Sequence, residues 1–192
     1  GLCAHEYFHA WHVKRIKPEA FMPYRLHEEN YTRLLWVFEG FTSYYDDLTL
    51  VRAGLISTEA YLGLIAKTIT GVERSSGRLK QTLAESSFDA WTKYYRQDEN
   101  SPNAIVSYYQ KGALVALGLD LTIRRVTKGQ RTLDDVMRYL WQHYGKTDRG
   151  VPEDAMPGII FAATGVAVDV QIGAWVDGHD DVPLEPLFKA FG

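Results

Sequence analysis

The feature that most constrains this chain is the run His5-Glu6-Tyr7-Phe8-His9. Histidines at i and i+4 share a target only if the chain between them is helical. On a helix they lie about 6 Å apart along the axis and nearly one above the other, so both imidazoles can reach one ion. Glu6 projects beside them, where it can take a proton from water held at that ion. Leu2, Ala4, Phe8, Ala10, Trp11 and Val13 suit a helix, and no proline intervenes before Pro18. The cations of Lys14-Arg15-Ile16-Lys17 complement the negative end of a helix dipole, so they read as capping charge before they read as a binding patch. The spacing predicts a helix over residues 2–17. An amphipathic helix with two incidental histidines would share these traits, and only a third ligand elsewhere argues against it.

H-E-x-x-H on a helix is the arrangement by which zinc peptidases hold their metal, with the glutamate as base. His12 shares the face but sits about 10 Å along the axis from His5, too far for the same ion. The longer pattern H-E-x-x-H-x-x-G-x-x-H fails as well, with His12 in the place of the glycine and Arg15 in the place of the last histidine. His12 is therefore read as a residue that supports a ligand or packs the core.

The third ligand is expected in a second helix over residues 34–51. Within its aromatic, apolar run from Trp36 to Tyr45, Glu39 is the one carboxylate. Buried alone it would be costly, so it wants a cation. An Arg or Lys would satisfy it structurally. With the two histidines it completes the two-His, one-Glu set of open catalytic zinc, where water takes the fourth position. Asp46, two helical turns on, shares its face and can orient a ligand histidine by accepting from the other ring N–H. It reads equally well as a solvated acid of the Asp46-Asp47 pair.

Composition sets the bounds. The 192 residues, 46% apolar and 23% charged, suffice for one substantial core and a single domain over 1–192. A formal net charge of -3 gives no electrostatic case for nucleic acid or an anionic membrane, and no apolar run approaches the roughly 20 residues of a membrane span. Cys3, the single cysteine, forms no internal disulfide, reads as a small packing residue rather than a ligand, and leaves the compartment undecided. Gly1 is no initiator, and a metal helix starting there has nothing in front to support it, so the chain is expected to be part of a longer protein.

Downstream the pattern is helical. Ser57 or Thr58 caps a helix to about Thr70, followed by a polar break from Gly71 to Gly77. Helices are expected over 86–95, with Phe88, Trp91 and Tyr95 on one side, then over 105–126 and, capped by Thr132, to about Tyr144. Two more run from Pro152 to near Gly165 and over 169–176. The segment 97–103 and the tail from Val182 to Phe191 read as loops. The fold class is mainly α.

The stretch His5-Glu6-Tyr7-Phe8-His9-Ala10-Trp11, followed by Val13-Lys14-Arg15-Ile16-Lys17-Pro18 and then Leu35-Trp36-Val37-Phe38-Glu39-Gly40-Phe41-Thr42-Ser43-Tyr44-Tyr45, resembles the catalytic core of the M61 glycyl aminopeptidase family. The likeness is specific over residues 1–48 and diffuse but continuous beyond. One departure is His12, where the family usually has Asn. The resemblance implies a gluzincin that removes small residues such as Gly or Ala from the N-termini of peptide substrates, with His5, His9 and Glu39 as zinc ligands and Glu6 as general base. It implies the helical catalytic lobe of a thermolysin-like metallopeptidase. The sheet edge that holds substrate in such enzymes, and the acidic group that binds a free N-terminus, would lie upstream and are missing from this chain. On that ground the lobe alone can be inactive. A PDZ module often follows in the family.

Ser107-Tyr108-Tyr109-Gln110-Lys111-Gly112 is similar to the Tyr-x-Lys-Gly stretch of M1 aminopeptidases, relatives of M61, whose tyrosine hydroxyl hydrogen-bonds the oxyanion. Carried over, that is Tyr109, with Tyr108 as the alternative and a core tyrosine as the structural reading. Two rival functions remain. Endopeptidase action on the same zinc site would differ in the residues that anchor substrate. A degenerate, non-catalytic scaffold or interaction domain is the other, and the intact Glu6 argues against it.

Overall fold

The computed structural model describes residues 1–192 and contains eleven α-helices and no strand. In chain order these are α1 (Leu2–Phe8), α2 (Leu35–Phe38), α3 (Gly40–Arg52), α4 (Thr58–Arg74), α5 (Leu83–Phe88), α6 (Ser101–Ala104), α7 (Gln110–Val126), α8 (Leu133–Leu140), α9 (Met156–Thr164), α10 (Asp169–Ile172) and α11 (Leu184–Lys189). Turns of π type extend α5, α8 and α10, over Ala90–Tyr94, Trp141–Gly145 and Gly173–Asp177.

Helix α7 is the axis of the molecule. Every residue from Leu114 to Asp120 is buried, the pattern of a helix enclosed on all sides. Its broadest contact is with α3, and the two meet at Gly40 and Gly112. A Cβ built on Gly40 would lie 2.6 Å from the Cα of Gly112, so this backbone-to-backbone approach requires glycine. Asp120, buried on α7, accepts from the Tyr44 hydroxyl of α3 (2.7 Å), from Arg124 Nε (2.8 Å) and from the Leu133 N–H that starts α8 (2.7 Å). A carboxylate with three donors can be buried without a desolvation penalty left standing, and it ties three helices together.

The first helix is much shorter than the predicted 2–17. It ends at Phe8, with His9 as its cap. The cause is His12. Its ring is fully buried, stacks on Phe38 at 4.7 Å and donates from Nε2 to the Val37 carbonyl at 3.0 Å. Its own carbonyl turns to accept from His9 Nδ1 at 2.9 Å. On a continued α-helix that ring would have stayed on the face of His5 and His9, one turn beyond His9. Instead the chain tightens through the bonds Ala10 N–H to Tyr7 O and Trp11 N–H to Phe8 O and then leaves the helical path.

The predicted helix over 34–51 is also divided. It breaks at Glu39, which takes φ −103° and ψ −40° between α2 and α3. Crowding from α7 is centred here, because a Cβ on Gly112 would stand 3.0 Å from the Trp36 carbonyl oxygen. Helix α4 runs on to Arg74, through the expected break, since Val72 is buried against the core. Helix α5 starts earlier than expected, at a Thr82–Glu85 capping box. Helix α7 starts later, at Gln110, and α9 at Met156. The tail holds α11 instead of a loop, with Leu184 and Leu187 buried.

Candidate metal centre

Helix α1 lies against α3, held by Phe8 stacked on Tyr45 with ring centroids 5.0 Å apart. This turns the histidine face of α1 toward Glu39, at the joint between α2 and α3. His5 Nε2 and His9 Nε2 each stand 3.2 Å from Glu39 Oε2. One donor atom from each of the three residues falls within 4.8 Å of the others. All three side chains are mostly shielded but reachable from solvent, at 13%, 13% and 21% exposure.

The other ring nitrogens are already committed. His9 Nδ1 faces the His12 carbonyl, which can only accept, so that nitrogen carries the hydrogen. His5 Nδ1 lies 3.1 Å from Asp46 Oδ2, again an acceptor. Both rings therefore turn their Nε2 toward the same carboxylate oxygen. Lone pairs facing a carboxylate repel it unless a cation, a proton or a metal ion, lies among them. The donor set fits zinc: two imidazole nitrogens and one carboxylate oxygen, with both imidazoles oriented through their second nitrogen.

Electrostatics agree with that geometry. Hydrogen bonds to Asp46 and then to Glu39 raise the His5 pKa to about 9, against the opposing effect of burial. For His9, burial pulls downward, but the contacts with Glu39 and the His12 carbonyl outweigh it and the pKa rises. Burial pushes the Glu39 carboxyl up, yet the two histidines more than compensate and hold it below its ordinary value. The cluster favours positive charge between these residues. His12 is the opposite case, since burial drives it down to about 4 and keeps it neutral.

The remaining candidates fall at different distances from this cluster. Asp46 touches His5 directly. Glu6 is exposed on the same helix turn as His5. The Tyr109 ring is tilted against that of His5, with centroids 6.1 Å apart, and Glu39 is close enough to act on its phenol. Tyr108 is buried, 1% exposed, and belongs to the core. Tyr95, which no motif singles out, brings its hydroxyl to 3.3 Å from that of Tyr109. Its only sequence signal was aromatic density, with Tyr94-Tyr95 and Tyr108-Tyr109 as paired tyrosines. Phe88, Trp91 and Tyr95 are all exposed. A cavity of about 550 Å³ lies elsewhere, among α4, α7 and α11, and shares no residue with the cluster.

Residues 1–115 match the family model described as M61 glycyl aminopeptidase. Among solved structures, the chain is similar to the crystal structure of an aminopeptidase N family protein from Idiomarina loihiensis, with a TM-score of 0.96 and 44% sequence identity. The likeness covers 100% of this chain and 32% of that one, so the residues described here correspond to one part of a longer protein there. No curated protein matches the chain.

Proposed function

The chain belongs to the M61 glycyl aminopeptidase family, and we propose that it carries the helical catalytic part of a zinc-dependent peptidase that removes small residues, such as Gly or Ala, from peptide N-termini. The observation that carries this reading is the convergence of His5 Nε2, His9 Nε2 and Glu39 Oε2, with both Nδ1 atoms engaged by fixed acceptors.

When bound, zinc supplies Lewis acidity, bringing the pKa of a water molecule toward about 7 and polarising a carbonyl. The chain's residues do the rest. His5, His9 and Glu39 hold the ion. Asp46 and the His12 carbonyl fix the tautomer and ring angle of the two histidines. The exposed Glu6 carboxylate takes a proton from the attacking water and delivers it to the leaving amine nitrogen. Tyr109 donates its phenolic hydrogen to the oxyanion, a charge that exists only along the reaction path and so rewards a donor placed there in advance.

The test uses the full-length protein. Zinc content is measured first, then hydrolysis of glycyl- and alanyl-p-nitroanilide beside their N-acetylated counterparts. Bound zinc, with cleavage of the free amines only, is the expected result. Equal cleavage of the acetylated substrates would make the enzyme an endopeptidase on the same site. A folded protein that takes up no zinc would overturn the reading.

A further inference from the structure

We infer that Tyr95 is a positioning residue of this site: its hydroxyl accepts a hydrogen bond from the buried Tyr108 and donates one to Tyr109, which leaves the Tyr109 hydrogen directed at the substrate oxyanion. The inference rests on the reading of Tyr109 given above.

The π-type turn after α5 carries Tyr94 and Tyr95 against Tyr108 and Tyr109 at the head of α7. The rings of Tyr94 and Tyr108 are 4.8 Å apart, and those of Tyr108 and Tyr109 4.6 Å. Within this nest the Tyr95 hydroxyl lies 3.4 Å from that of Tyr108 and 3.3 Å from that of Tyr109. A phenol has one hydrogen to give and can accept. Tyr108 is 1% exposed, and its hydroxyl donates to Tyr95. A buried hydroxyl without an acceptor would be costly, so this bond fixes the first direction. With its oxygen accepting from Tyr108, Tyr95 has its own hydrogen free for Tyr109.

The order of donors then runs from the core outward, Tyr108 to Tyr95 to Tyr109. If Tyr109 donated to Tyr95 instead, its one hydrogen would be spent on that bond and none would remain for the oxyanion. Each bond in a chain of one sense polarises the next, making the last hydroxyl a better donor. The separations are long for O–H···O bonds. Such contacts in a substrate-free site tighten when charge develops at the acceptor.

Two measurements test the chain. In the metal-free protein, Cζ-¹³C-tyrosine NMR reads the hydroxyls directly. Tyr108→Phe should shift both the Tyr95 and Tyr109 resonances. Tyr94→Phe is the control: its ring touches the same neighbours, but its hydroxyl contacts Ser107 and lies off the chain. An equal shift from both variants, or no Tyr109 shift from Tyr108→Phe, overturns the inference. In the full-length zinc enzyme, Tyr95→Phe should lower kcat about five- to tenfold, the effect of one hydrogen bond, with KM nearly unchanged. The double variant Tyr95→Phe/Tyr109→Phe should be no slower than Tyr109→Phe alone, because Tyr95 acts only through Tyr109. If Tyr109→Phe lowers kcat and the Tyr95 effect is absent or multiplies in the double variant, the chain is wrong and the oxyanion reading stands. If Tyr109→Phe leaves kcat intact, both fall.

Discussion

Asp46 Oδ2 lies 3.1 Å from His5 Nδ1, so a carboxylate of α3 sets the orientation of a histidine on α1. Charge and hydrogen bond both favour a ligand that is electron-rich at Nε2. Asp46→Ala should weaken zinc binding about 10–100-fold, the usual scale for such supporting groups. Asp46→Asn keeps an acceptor and should lose less. A chelator-competition titration decides it, and an Ala variant with unchanged affinity would remove Asp46 from the site.

Glu6→Gln separates binding from turnover. The amide fills the same space but cannot take a proton, so zinc content should stay at the wild-type level while kcat falls by about 10²–10⁴. Near wild-type kcat in the full-length enzyme would reject the role of base.

Zinc should stabilise the fold by mass action. At a free concentration a thousandfold above Kd the gain is about 4 kcal/mol, or roughly 10 °C in Tm for a chain of this size. A chelator should reverse the shift. His9→Ala should abolish it, and a shift that survives in that variant would place the ion elsewhere.

Two glycines should respond to alanine with opposite signs. At Gly112 the new methyl would meet the Gly40 Cα at 2.9 Å and the Trp36 carbonyl at 3.0 Å, both backbone. Overpacking against backbone costs up to about 3 kcal/mol and outweighs the gain in helix propensity of about 1 kcal/mol, so Gly112→Ala should lose up to about 2 kcal/mol net. At Gly63, on exposed α4, nothing lies within 4 Å, and the same change should gain about 0.5–1 kcal/mol. Denaturant midpoints measure both.

Lys111 is 1% exposed and its Nζ has no hydrogen-bond partner. Burial lowers its pKa despite Asp181 and Asp180, while Arg78 opposes them; Glu73, Glu185 and Lys189 line the adjoining cavity. The unfolded chain therefore binds this proton more tightly than the folded one, and stability rises with pH between the lowered folded value and the unfolded value near 10.4. Lys111→Met should stabilise by ~1–3 kcal/mol at neutral pH. That gain should shrink as the pH approaches the unfolded value. A gain independent of pH would mean that packing, not charge, is the cause.

The three converging side chains were legible in the sequence because a helical i, i+4 pair and a lone carboxylate in an apolar run are local signals. The length of α1 was not. His12 lies on the histidine face of an ideal helix, and nothing local says that its ring finds Val37 and Phe38 in the core. The same limit hid the break at Glu39, which comes from α7, a helix distant in sequence. In the tail, Pro183 and Pro186 read as loop punctuation. Yet both sit at the start of α11, where a missing N–H costs nothing. Gly71 misled similarly: α4 continues past it because burial of Val72 outweighs a weak helix former. Tyr95 could not have been found, since its role depends on a meeting with the head of α7.

His12 also bears on how long an ion would remain. Its ring grips the Val37 carbonyl two residues before Glu39, and its carbonyl grips His9. The segments of His9 and Glu39 are thus clasped by one residue, and the His9 ring turns aside only by giving up its bond to His12. Full withdrawal of both histidines would take α1 off α3, a motion that also parts the Phe8–Tyr45 stack. Were an ion bound here, its residence time should depend on local opening of the fold and lengthen with whatever fastens α1 down.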